Sequence, residues 1–338
     1  MLSVMIDWLE FTVLESQLPM VLNTMGLKWE DFSQLAKGRF GYHNQLKWNG
    51  GNLFIMFTAN SDNKDIDINT KINAKSGVHV MLTGQGCRQY SSKQDLVFLI
   101  KRLYLLKNRV NFTRIDLAID DHESKLLDYD RIHDSAIKGH FTSRWSKWDE
   151  VVSRQTSTNE YLGRTMYFGS QTSDIFCRIY DKALEQKRKV KDKDKEIPEK
   201  WTRLEIVYRK DRATKLVDFL IKSEKPLGHV LRGTLRQYLR FLLPSTDQNK
   251  ARWPSAEWWE LLLADVEKLQ LTIKKEAKTI EDMTSWVDKQ IAPTIATILK
   301  AQEGDMSWLR KIILDGSNRL KQKHKDAIYQ YLGKEKAA

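Results

Sequence analysis

Apolar and polar positions alternate every second residue in several short runs of the first two thirds of the chain, then give way to a helical period. Successive strand side chains point to opposite faces, so this alternation predicts half-buried strands. Met5–Val13, Leu53–Thr58 and Val78–Thr83 also read as strands, bounded by polar or glycine-containing turns such as Asn49-Gly50-Gly51. Further strands are predicted over Val110–Asp120, Thr165–Gly169, Asp174–Tyr180 and Thr202–Arg209. Ser92–Leu106 has helical spacing with a serine at its start. Gly84-Gln85-Gly86 follows a strand, but no Lys-Ser or Lys-Thr pair comes after it, so a plain turn is expected rather than a phosphate loop.

The character changes near Pro244. A polar, linker-like stretch over Ser245–Pro254 leads into helical patterns over Ser255–Leu271, Thr279–Lys300 and Ser307–Tyr331. The reading is an α+β domain over 1–243 and a small helical domain over 255–338. Lys187–Lys200 is a charge run containing Pro198 and reads as a solvated helix end and loop.

Charge sharpens the picture. The 338 residues carry a net charge of +12, which draws polyanions, and eleven tryptophans with eleven tyrosines offer surfaces for base stacking. No apolar run approaches the roughly 18 residues of a membrane span, so no membrane partner is expected. The N-terminus has no basic stretch or cleavage site of a signal peptide. Two cysteines, Cys87 and Cys177, make neither a disulfide framework nor a zinc motif. A cytoplasmic protein that meets nucleic acid follows.

Three strands place chemistry on one face. In 114–120, Ile115, Leu117 and Ile119 point one way, with Arg114, Asp116 and Asp120 the other. In 175–182, Arg178, Tyr180 and Lys182 share a face opposite Ile175, Cys177 and Ile179. In 203–209, Arg203, Glu205 and Arg209 oppose Leu204 and Ile206. The plainer reading is a sheet with one wet, salt-bridged face. In a chain this basic, the shared pattern points instead to DNA strand transfer. A tyrosine oxygen displaces a 3′-oxygen from phosphorus and leaves a 5′-phosphotyrosine. Asp116, Asp120 and Glu205 suit a hard divalent cation, Mg²⁺ or Mn²⁺. Arg178 and Lys182 are placed to hold the scissile phosphate or favour the phenolate of Tyr180, and Arg114, Arg203 and Arg209 to contact DNA.

Gly163–Ser170, Ser173-Asp174 and Arg178-Ile179-Tyr180-Asp181-Lys182 together resemble the signature of the Rep_trans replication initiation factors. Residues 114–121 and 202–210 match that family's two other recurring strands, and 6–12 and 82–88 are similar as well. The resemblance spans about Met5 to Leu243. It implies a rolling-circle initiator or relaxase of plasmids, filamentous phages or integrative conjugative elements, with Tyr180 as the nucleophile. It implies a largely antiparallel nicking domain related to the HUH superfamily, in which carboxylates replace the paired histidines and hold the metal. The seven histidines are scattered, and His122 is read as peripheral. Matching does not decide between Asp116 and Asp120 as ligand; Asp116 and Glu205 are the first choices. The family further implies a homodimer and a recruited host helicase. The C-terminal helices, with Lys274, Lys275 and Lys278, are assigned to origin recognition or dimer contacts. A conjugative relaxase shares the same chemistry. A DNA-binding protein without catalysis and an RNA-binding module remain alternatives, the latter weakened because no aromatic-rich octapeptide of RNA-binding sheets is present.

Overall fold

The computed structural model describes residues 2–15, 17–60, 66–189, 197–264 and 280–332. They belong to two compact units, Met1–Thr272 and Ile273–Ala338. In chain order the first unit contains β1 (Leu2–Val13), α1 (Leu18–Met25), β2 (Phe32–Leu35), β3 (Asn44–Trp48), β4 (Leu53–Phe57) and β5 (Val78–Leu82). Next come α2 (Gly84–Ser91), α3 (Leu96–Tyr104), β6 (Val110–Asp121), α4 (Tyr129–Ile137), β7 (Phe141–Ser143), β8 (Trp148–Arg154) and β9 (Tyr161–Phe168). The unit continues through β10 (Ile175–Asp181), α5 (Lys182–Lys189), β11 (Thr202–Arg209), α6 (Asp211–Ser223), α7 (Leu227–Tyr238), β12 (Leu239–Phe241) and α8 (Glu257–Leu263).

Ten of these strands form one sheet in the order β2-β3-β4-β5-β1-β6-β11-β10-β9-β8, with antiparallel pairing throughout. The expected α+β class and antiparallel sheet are what forms. One sheet face is apolar: Leu9, Phe11, Ile115, Leu117, Ile119, Ile179, Leu204 and Ile206 are all buried, in a core shared with residues of α1, α3, α6 and α7. Each such side chain stabilises the fold by roughly 1.5–3 kcal/mol. The opposite face carries the polar residues, which leaves them free for chemistry.

Two local expectations are corrected. Gly84-Gln85-Gly86 is not a plain turn but the start of α2, where the Thr83 side chain accepts the Gly86 N–H at 3.3 Å. Glycine is needed at 86 for space, since a Cβ there would stand 2.1 Å from the Asn52 carbonyl oxygen. The next helix, α3, begins at Leu96 and is capped by Asp95, whose carboxylate accepts the N–H groups of Val97 and Phe98; Ser92 ends α2 instead. Asp95→Ala should therefore destabilise the first unit by about 1 kcal/mol, read as a lower urea midpoint with unchanged slope.

The first unit also runs past Leu243, where the sequence pattern placed a boundary. The reason is α8: Trp259 is fully buried with its ring 5.0 Å from that of Phe241, and Leu262 and Leu263 are buried beside it. In the second unit, α9 (Ile280–Trp286) passes through a π-helical turn, Val287–Ile291, into α10 (Ala292–Ala301). Pro293 lacks an N–H and would clash in a regular helix, and the wider turn just before it accommodates that. The expected helix over Ser307–Tyr331 is two, α11 (Ser307–Ser317) and α12 (Gln322–Tyr331). Lys274, Lys275 and Lys278, most of Ser255–Leu271 beyond α8, and residues 190–196 of the charge run lie outside the described residues. No helix among the described residues is long and apolar enough to cross a membrane.

Candidate active site

The register of the sheet lines up the polar face in rows. One row reads Met5, Ala118, Glu205, Arg178, Tyr167 and Asp149 across β1, β6, β11, β10, β9 and β8. The next reads Ser3, Asp120, Arg203, Tyr180, Thr165 and Val151 along the same strands. Tyr180 and Glu205 are therefore diagonal neighbours, and the Tyr180 hydroxyl donates to Glu205 Oε1 at 2.6 Å. Arg178 pairs with the other oxygen of Glu205 and comes within 3.8 Å of Asp116 Oδ2. Lys182 Nζ lies 3.4 Å from Tyr180 Oη and is paired with Glu185. Tyr180, Arg178, Lys182 and Asp7 help to line a cleft of about 780 Å³ on this face.

Burial sets the electrostatics. Glu205 and Asp116 are fully buried. Loss of water lifts the Asp116 carboxyl above the usual range, opposed by Arg114 and Arg178. Glu205 is pushed up to about 6, first by burial and then by the nearby Asp7 and Asp116 charges, against the pull of Arg178 and Arg203. Tyr180 is also pushed up, by burial and then by Glu205. The expectation that Arg178 and Lys182 favour its phenolate is thus corrected: desolvation and the carboxylate outweigh the cations, and the phenol keeps its proton, donated to Glu205. Lys182 is shifted down by burial and by Arg203.

The remaining candidates serve differently. Asp116 takes the guanidinium of Arg114 on both oxygens, at 2.8 and 2.6 Å, while Arg114 lies 4.4 Å over the ring of Trp8. Both oxygens of Asp120 receive Arg203, each at 2.6 Å, and the indole of Trp201 adds 2.8 Å. Arg203 reaches on to Asp7 at 2.7 Å and is only 2% exposed. Alternation suggested a DNA contact for Arg203; buried between two carboxylates, it is instead a strut of the site. Arg209 lies 5.2 Å over Phe176 and donates to the Gln171 carbonyl. His122 packs on Trp201 with ring centroids 4.5 Å apart.

Asp7 was assigned no role from sequence. It sits where the β1–β6 register slips between Ile6 and Trp8, a bulge that turns its carboxylate toward Arg203 and toward Arg88 of α2 at 2.8 Å. Asp7, Asp116 and Glu205 thus come from three strands, and the charges of the first two both raise the pKa of Glu205. Among the described residues, however, no group of three or more His, Cys, Asp or Glu is arranged to hold a metal ion. The donors are hard oxygens of the right kind for Mg²⁺ or Mn²⁺, and each now holds an arginine or a phenol.

The sheet face carries a tyrosine, buried carboxylates and arginines beside an open cleft, and comparison with known proteins shows the family to which it belongs. The replication initiation factor family model matches residues 110–313, and that of the rolling circle replication initiation protein N-terminal domain matches 3–95. The chain is 30% identical over 232 residues to a putative DNA relaxase, NicK, of Bacillus subtilis (strain 168). That match covers 67% of this chain and 64% of the relative, so the chain spans just under two thirds of it. A solved rolling circle replication initiator protein from Geobacillus stearothermophilus is similar with a TM-score of 0.66 and 30% identity, over 80% of this chain and 99% of that one. The chain belongs to the replication initiation factor family.

Proposed function

We propose that this protein nicks one strand of DNA and later rejoins it, with Tyr180 as the nucleophile. The observation that carries this reading is the Tyr180 hydroxyl, 2.6 Å from a buried carboxylate at an open cleft with Arg178 and Lys182 beside it. The phenol proton passes to Glu205, and the phenolate oxygen attacks a phosphodiester phosphorus. The P–O3′ bond breaks, the 3′-oxygen leaves and takes up the proton that Glu205 received, and the 5′-phosphate stays on the tyrosine. Attack by a 3′-hydroxyl reverses the step, so the energy of the broken bond is kept and no nucleotide triphosphate is needed. Arg178 and Lys182 meet the non-bridging oxygens of the scissile phosphate.

Asp7, Asp116 and Glu205 would hold a divalent cation, with Asp7 in the place first given to Asp120, which is held by both Arg203 and the indole of Trp201. Such a cation, when bound, neutralises charge at the phosphate. Arg114 and Arg209 extend the positive face for the strand. The family likeness extends the proposal to a homodimer and a recruited helicase.

The test is incubation with supercoiled DNA from the element that encodes the protein, in Mn²⁺, followed by mapping of the nick and of its protein-bound end. Asp116→Asn and Glu205→Gln keep size and remove charge, so nicking should drop by about 10²–10³-fold while DNA binding survives. Full cleavage under excess chelator would remove the cation from the proposal. A protein that never joins DNA under any of these conditions would remove the proposal itself. The Bacillus subtilis relative favours a second reading, a conjugative relaxase with the same chemistry. Transfer of the nicked strand between cells, rather than its replication in place, would select it.

A further inference from the structure

The stretch 82–88 is similar to the family in sequence, yet the phosphoryl chemistry proposed above gives it no part. It runs from the end of β5 into α2, and Thr83, Gly84, Gln85 and Arg88 line the same cleft as Tyr180. The helix is firmly held. Gly86 lies against the Asn52 carbonyl, Cys87 and Tyr90 are buried, and the Tyr90 hydroxyl donates to the Met25 carbonyl at 2.6 Å. Gly84 and Arg88 are four residues apart and so share a face of α2. That face meets Asp7. The Asp7 carboxylate lies against the bare Cα of Gly84: a Cβ there would stand 2.9 Å from Oδ2, 3.0 Å from Oδ1 and 2.9 Å from the Asp7 carbonyl oxygen. Arg88 Nη1 donates to Oδ1 at 2.8 Å, and Arg203 of β11 meets the same oxygen at 2.7 Å. Both guanidinium groups thus take Oδ1, which leaves Oδ2 for a further ligand.

We propose that α2 aims the cation site: Gly84 and Arg88 are positioning residues that fix the Asp7 carboxylate, with Oδ2 presented to the divalent cation it would share with Asp116 and Glu205. The inference rests on the cation reading given above. Asp7 needs such aiming because the β1–β6 register slips between Ile6 and Trp8, so the strand ladder does not fix it. The helix supplies what the strand lacks. Gly84 acts through its missing side chain, since any Cβ would displace either the carboxylate or the backbone of the bulge. Arg88 acts through a charge-assisted hydrogen bond. Groups that orient a metal's ligands are worth about 10–100-fold in metal affinity.

The experiment titrates the full chain with Mn²⁺ alone and reads the free ion by its electron paramagnetic resonance signal. Gly84→Ala changes no charge and favours the helix, so it should weaken Mn²⁺ binding by about 10–100-fold through geometry alone. Asp7→Ala should weaken it as well, and adding Gly84→Ala to that variant should change nothing more. Arg88→Ala should cost about 10-fold, and Arg88→Lys should recover part of the loss. Deleting a positive charge would by itself tighten a cation, so a loss at this position reports the aim. Wild-type affinity in Gly84→Ala overturns the aiming. So does an equal loss when Gly84→Ala is added to Asp7→Ala, which would mark a damaged fold. Tighter binding by Arg88→Ala makes Arg88 a competitor for Asp7 and overturns its positioning role. A wild-type protein that binds no Mn²⁺ overturns the cation reading and the aiming with it. Mn²⁺ binding that ignores both Gly84 and Arg88 overturns the aiming and leaves the cation reading standing.

Discussion

Tyr180→Phe should leave a folded protein that binds DNA and forms no covalent complex with it. The substitution deletes one oxygen. The lost hydrogen bond to Glu205 costs about 1–3 kcal/mol at most, because Arg178 still pairs with that carboxylate. Nicking has no such reserve, since the attacking atom itself is gone, and the rate should fall by about 10⁴-fold or more, as when a nucleophile is removed from other covalent enzymes. The competing tyrosines are separated by structure. Tyr208 is fully buried on the core side with its hydroxyl 2.8 Å from Thr234, so it cannot reach DNA. Tyr167 is the serious rival: the register puts it beside Arg178 on the cleft face, a position that its own strand's sequence did not disclose. Peptide mapping after nuclease digestion decides between them. A nucleotide on Tyr167 with Tyr180 unmodified would overturn the assignment, and so would a Tyr180→Phe protein that still nicks.

How much of this site was legible in the sequence depends on what kind of information each residue needed. Period-two alternation is local, and it sorted Asp116, Arg178, Tyr180 and Glu205 onto one face because each strand stays regular there. It says nothing about what covers that face. Arg203 and Asp120 alternate outward just as Arg178 does, yet Trp201 and Asp7 close over them and convert a candidate DNA contact into a buried pair. Asp7 was missed for the opposite reason. The buried apolar positions of β1 run Ile6, then Leu9, Phe11 and Val13, so the period slips by one at Asp7, which is buried too. A lone acid at such a slip is the signature of a bulge that re-aims a side chain, and read that way it was visible. The α8 boundary was lost because a polar, proline-ended linker looks the same whether or not the helix after it returns to the core. Trp259, packed on Phe241, and the buried Leu262 and Leu263 record the return.

Arg203→Met should be the most destabilising single change in the polar face, although Arg203 is expected to touch no substrate. Its guanidinium satisfies both oxygens of Asp120 and one of Asp7, and both carboxylates are nearly without solvent. Methionine fills much of the volume but leaves two buried charges facing each other. Breaking a buried pair from one side costs about 3–5 kcal/mol, whereas replacing both partners with uncharged groups is often close to neutral. The double variant Arg203→Met/Asp120→Asn should therefore recover much of the loss, and a double-mutant cycle by urea unfolding measures the coupling. Activity should not return with stability. In the double variant Asp7 keeps only Arg88 as its cation, and that side chain is half exposed. Asp7 then lacks the strut that holds it toward Glu205, so nicking should stay depressed after the fold is restored. If Arg203→Met unfolds at the wild-type urea concentration, Arg203 is not the clamp between β1, β6 and β11. If the double variant regains both stability and nicking, the clamp serves the fold alone and Asp7 needs no positioning.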